Sequence, residues 1–123
     1  MPAKLKLILP ALLCLLLAAC GAPADDSTTK LVAALDKHTA LLKEGKFKVE
    51  DFDAETKPIL DEMEKHRNPD SKRIEVTEPV QKEFQRATAA FVAAAEEKGD
   101  ILARLAYDKV QDKINRGAEA PKE

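Results

Sequence analysis

Side chains that could do chemistry are scarce in this 123-residue chain, which holds 2 cysteines, 2 histidines, 2 methionines and no tryptophan. The only nitrogen ligands are His38 and His66, and Met63 stands one turn before His66. If the helices carrying them faced each other, two imidazoles and a thioether could enclose a copper-type or haem-type site. The spacing argues for a plainer role. Helical metal sites repeat acid and histidine pairs three or four residues apart, and the Glu-x-x-His pattern of di-iron bundles is missing: position 63 is Met, and the nearest acids are Glu62 and Glu64. His38 and His66 each fall on an apolar stripe, where a lone histidine is a packing residue. No metal or other cofactor is expected.

Nucleophilic catalysis finds no footing either. Neither a Ser-His-acid set nor a Cys-His set can be read, and 4 glycines supply no phosphate-cradling loop. Adjacent acids such as Glu50-Asp51 and Glu96-Glu97 fall at helix ends and on solvated faces, where charge is ordinary. The expectation is a protein that is not an enzyme and has no small-molecule substrate.

One reactive group has a defined context. Lys4 and Lys6 precede an apolar run from Leu7 to Leu17, about eleven residues where a mature transmembrane helix needs ~20. The run reads as a signal peptide. It ends in Leu17-Ala18-Ala19-Cys20-Gly21, which resembles the lipobox of bacterial lipoproteins: Leu three positions before the cysteine, two small residues, then the thiol that receives lipid. Cys14 follows Leu12-Leu13 inside the apolar run and reads as one more hydrophobe. The resemblance implies cleavage before Cys20, a diacylglyceryl thioether on its sulfur and a fatty acid such as palmitate on its new amino terminus. Each buried acyl carbon contributes ~0.8 kcal/mol, so two or three chains make a lasting anchor. Gly21, rather than Asp, at the second mature position implies the outer membrane, with the body facing the periplasm.

Removing residues 1–19 also removes Lys4 and Lys6, leaving 18 basic against 22 acidic residues. Acids and bases alternate without blocks of either sign, and this excludes the basic stripe of a nucleic-acid binder. With Cys20 consumed by lipid, no thiol remains for a disulfide, so stability has to come from packing.

The hydrophobic pattern predicts an all-α fold. Residues 20–27 form a short lipidated tether, residues 28–116 a helical bundle, and residues 117–123 a disordered tail. Leu31, Leu35, His38 and Leu42 make the stripe of a first helix that opens at Ser27 or Thr28 and closes at Gly45. Val49, Phe52, Thr56, Ile59, Met63 and His66 make a second, from about Glu50 to His66. Pro58 sits comfortably in it only if Thr56 is the cap, and in the second turn, with a possible kink, if Asp53 is. After the Asn68–Ser71 loop, Thr77-Glu78-Pro79 opens a third helix with Val80, Phe84, Ala87, Phe91 and Ala94 on one face. Leu102, Ala106, Val110 and Ile114, with Leu105 beside them, form the last stripe. Gly99-Asp100 is either a turn or a kink, and phase alone does not decide, because Phe91, Lys98 and Leu105 lie seven apart. Matched helix lengths favour an up-and-down four-helix bundle over three helices with a long kinked third.

A small helical body on a short anchor resembles, in size and class, the accessory lipoproteins that hold another envelope protein near the outer membrane, including helical pilotins of secretion systems, although no pilotin motif is matched residue by residue. That resemblance implies a protein partner in the envelope. Phe47, between Lys46 and Lys48 and off every stripe, is the candidate for an exposed contact, and Phe91 is a second candidate for the partner face. A periplasmic inhibitor or immunity protein against a toxin, and a metal or haem carrier, are the alternatives.

Overall fold

The computed structural model describes residues 21–116, which form four helices: α1 (Asp25–Lys43), α2 (Val49–Glu64), α3 (Glu78–Lys98) and α4 (Ile101–Arg116). The four-helix, all-α reading is the observed one. The signal peptide, the lipobox with Cys20 and the 117–123 tail lie outside the described residues.

Helix starts differ from the expected caps. The first helix begins at Asp25, ahead of Ser27 and Thr28, and no side chain caps its Ala24 end. Instead Asp25 and Asp26 place negative charge at the positive helix terminus, and the Ser27 hydroxyl donates to the Ala24 carbonyl at 3.2 Å. Thr77, the expected cap of α3, gives its side chain to another helix. Its N–H and hydroxyl both donate to the Asp25 carboxylate, each at 2.9 Å, which ties the start of α3 to the start of α1. In α2 the helix starts at Val49, so Pro58 lies in its interior and removes the hydrogen bond to the Ala54 carbonyl. Packing of Phe52, Thr56, Leu60 and Met63 against the core holds the helix through that gap.

Two glycines stop helices in the same way. Gly45 and Gly99 adopt left-handed φ of 73° and 61°. In each case the glycine N–H and the next N–H reach back to the last-turn carbonyls, from Gly45 and Lys46 to Leu42 and Leu41, and from Gly99 and Asp100 to Glu96 and Ala95. At Gly99 the chain restarts at once, because the Asp100 carboxylate accepts the Ala103 N–H at 3.0 Å and caps α4. Gly99-Asp100 is a turn.

Chain direction alternates up, down, up, down, yet the neighbours are not all consecutive. The first helix lies against α2 and α3, and α4 lies against α2 and α3, so α2 and α3 occupy opposite corners. Residues 65–77 carry the chain across that diagonal. Asn68 Oδ1 accepts the N–H groups of Asp70 and Ser71 at 2.7 and 3.1 Å, and Arg67 donates to Glu64, to the Lys72 carbonyl and to the Ile114 carbonyl of α4 at 2.7–2.9 Å. The crossing makes α1 and α3 parallel neighbours, joined further by Arg86 to Asp36 at 2.8 Å.

The core follows from these pairings. The α1 stripe of Leu31, Leu35, His38 and Leu42 is buried as its spacing implies, and α3 supplies Ala87, Phe91, Ala94 and Ala95. Three small side chains there let the α1 and α3 backbones approach closely. The last helix keeps its expected stripe at Ala106, Val110 and Ile114 and departs from it only at its start. Ala103, Ala106 and Val110 are buried, while Leu102 and Leu105 are 58% and 52% exposed. The two-residue turn holds the start of α4 so close to α3 that alanine fits between them and leucine does not.

Candidate functional site

A ring cluster fills the end of the bundle away from residue 21. Phe52 stacks on Phe91 with centroids 5.1 Å apart, Phe91 stacks on Tyr107 at 6.1 Å, and Phe47 sets its edge toward Phe91 at 5.9 Å. His38 enters edge-on to Phe52 at 5.2 Å and to Phe47 at 5.9 Å. Local chain geometry explains Phe47: Gly45 ends α1 in a tight turn, and the extended residues before α2 fold back over the stripe that α1 has just presented.

His38 is 1% exposed, and its Nε2–H donates to Glu55 Oε1 at 2.9 Å. An ionised carboxylate only accepts, so this contact assigns the proton to Nε2. Lys37 donates to the same oxygen at 3.2 Å. The hydrogen bond from His38 and the charge and hydrogen bond of Lys37 hold the Glu55 carboxyl below the usual carboxylate range, against a smaller opposing effect of burial. The other ring nitrogen, Nδ1, is buried without a hydrogen-bond partner. The Glu55–His38 pair joins α1 to α2 and orients the ring.

The other two residues of the imagined metal site are elsewhere. Met63 is 3% exposed in the core, and His66 is half-buried beyond the end of α2, with Glu62 Oε2 at 3.4 Å. From Glu55, beside His38, to His66 is eleven residues, roughly 16 Å of helix rise. His38 and His66 therefore lie at opposite ends of the antiparallel α1–α2 pair, and His38, Met63 and His66 do not form one pocket. Among the described residues no three His, Cys, Asp or Glu side chains gather as a metal site.

The candidate partner residues also fall differently. Phe91 is 0% exposed, so it offers nothing to a partner: its place between Phe52 of α2 and Tyr107 of α4 uses it as core. Phe47 is half-buried against His38, Phe52 and Phe91 and closes the ring cluster, because the turn after Gly45 folds it inward.

The exposed apolar surface is on α4. Ile101, Leu102 and Leu105 are 73%, 58% and 52% exposed, and Leu102 and Leu105 border a groove of about 330 Å³ between α4 and α2 that Val49, Ala106, Asp108, Lys109 and Asp112 also line. The three side chains neighbour one another on the helix and form one exposed apolar patch, a feature that is often functional on monomers. Reading Leu102 and Leu105 as a core stripe hid this face. Ile101, the neighbour of Leu102 on no stripe, was the one signal of it in the sequence. At the other end, a cleft of about 480 Å³ between α1 and α2 is lined by Asp26, Lys30, Glu62 and His66 with Pro23, Ser27, Pro58 and Ile59, and its charges are mixed.

Among the described residues no helix is long and apolar enough to cross a membrane. Comparison with protein families, curated proteins and solved structures finds no match to this chain.

Proposed function

We propose that this chain is a lipid-anchored protein of the cell envelope, attached through Cys20 to the periplasmic face of the outer membrane, whose four-helix body binds another envelope protein in an accessory or assembly role. It is not an enzyme in this reading. The observation that carries the proposal is the separation of two features along the bundle. The first helix starts at Asp25, five residues after Cys20, while Ile101, Leu102 and Leu105 lie exposed at the opposite end. An α1 of 19 residues puts roughly 28 Å between them. A tether this short keeps the foot near the lipid and turns the apolar patch away from it. The patch then faces proteins rather than the membrane that holds the chain.

Replacing Cys20 with Ser should move the protein from the detergent phase to the aqueous phase, or leave it unprocessed with its leader attached. Processed Cys20→Ser protein that still partitions with detergent would refute the anchor. For the partner, a photo-crosslinking residue at position 105 in living cells should give a discrete heavier adduct, while the same residue at Lys82, exposed on α3, should not. Equal crosslinking at both positions would refute the binding face.

A further inference from the structure

We propose that the cleft between α1 and α2 at the foot of the bundle receives the headgroup of an ethanolamine-type phospholipid from the leaflet that holds the anchor. The proposal rests on the reading of Cys20 as lipidated and adds a second, reversible hold on the same membrane. Pro23 lines the cleft three residues after Cys20, so at the extended limit of about 3.5 Å per residue the cleft opens within roughly 10 Å of the lipidated position. Its volume of about 480 Å³ is that of a small-ligand site.

The two walls carry alternating charge. Lys37 of α1 meets Glu55 of α2 at 3.2 Å, and the same antiparallel register, followed seven residues along each helix, sets Lys30 opposite Glu62. Four residues further it sets Asp26 opposite His66. Neither couple closes across the cleft. Glu62 turns instead to Lys65 and His66 at its own helix end, at 3.5 and 3.4 Å, and is thereby matched. The side chains of Asp26 and Lys30 pair with no described residue. The open groups of the cleft are therefore one carboxylate and one ammonium, a single turn apart on α1 and roughly 6 Å along its axis. A guest that answers both carries phosphate and ammonium on one short arm, as a zwitterionic headgroup does, and Pro23, Pro58 and Ile59 give its methylenes an apolar wall. An ethanolamine ammonium donates hydrogen bonds to Asp26, as a lysine ammonium would. A choline headgroup has no N–H to donate, and a glycerol headgroup has no positive charge, so Asp26 selects among the three.

The test places a photo-crosslinking residue at Pro58, exposed on the lip of the cleft, in the full processed chain held in nanodiscs of equimolar phosphatidylethanolamine, phosphatidylcholine and phosphatidylglycerol. Mass spectrometry of the adducts counts each lipid. The expected result is phosphatidylethanolamine captured about fivefold or more over either other lipid. Asp26→Asn should bring its ratio to phosphatidylglycerol near one, and Lys30→Glu should cut its capture about fivefold while Lys30→Arg restores it, with helical circular dichroism unchanged in all three. A crosslinker at Lys82, the fifth residue of α3 where Lys30 is the sixth of α1, should show no such preference, because it shares the height above the membrane and lacks the cleft. Equal capture of the three lipids at position 58, a preference that survives Asp26→Asn and Lys30→Glu, or the same preference at position 82 would overturn the proposal. A native chain whose mass shows no lipid on Cys20 would refute the anchor instead, and the cleft is then decided by the same crosslinking on that chain with vesicles of the same composition.

Discussion

Phe91→Ala tests the architecture at its most committed point. Phe91 is 0% exposed, stacked between Phe52 and Tyr107 and touched by the edge of Phe47, so its loss removes three ring contacts and leaves a cavity in the ring cluster. Truncating a buried phenylalanine costs about 3–5 kcal/mol, combining lost transfer energy with the void left behind. A domain of this size has a total stability of roughly 5–14 kcal/mol at about 0.05–0.15 kcal/mol per residue, so the variant should fall near the edge of folding. With a urea slope of about 1–2 kcal/mol/M, the midpoint of the helical circular dichroism transition should drop by about 1.5–5 M. Phe91→Leu, which keeps most of the volume, should recover more than half of that loss. A Phe91→Ala cost below about 1 kcal/mol would refute the ring cluster as the core of this end and reopen Phe91 as a surface residue.

The exposed leucines predict the opposite: Leu105→Lys should change stability by no more than about 0.5 kcal/mol in the same titration, since an exposed site away from any cap or network tolerates substitution. Gly99→Ala forces a β-carbon into left-handed geometry at φ 61° with no atom within 4 Å to clash, so its cost should be the conformational one alone, about 1–2 kcal/mol in a thermal melt, and Gly99→Asn should recover part of it. Glu55 has a depressed folded-state pKa, so the stability it contributes is present above its ordinary value of 4.5 and is lost as the pH falls through the lower folded value. Melting temperature should therefore decline less steeply below about pH 4.5 in Glu55→Gln than in the parent, and equal slopes would show that the Glu55 contacts to His38 and Lys37 add nothing in solution.

What was legible in the sequence was whatever depends on neighbours within a few residues. The stripe Leu31, Leu35, His38 and Leu42 marked the buried face of α1 because a helix repeats every 3.6 residues wherever it packs. Asn68-Pro69 marked a loop, and Thr77-Glu78-Pro79 a helix start, because their backbone preferences are local. Gly99-Asp100 stood on the boundary: its residues permit both a stop and a kink, and the stop follows from the pair of N–H groups that reach back to Ala95 and Glu96. Everything that depended on which helix lies beside which was decided by tertiary packing. The α2–α3 connection crosses the diagonal and makes α1 and α3 parallel neighbours, which no periodicity encodes. That arrangement draws Thr77 away from capping and onto Asp25, and it holds His38 and His66 at opposite ends of their helix pair. Leu102, Leu105, Ala103 and Ala106 fit a helical stripe in either of two phases. The close approach of α4 to α3 after a two-residue turn admits only the alanines, and it leaves the leucines facing outward.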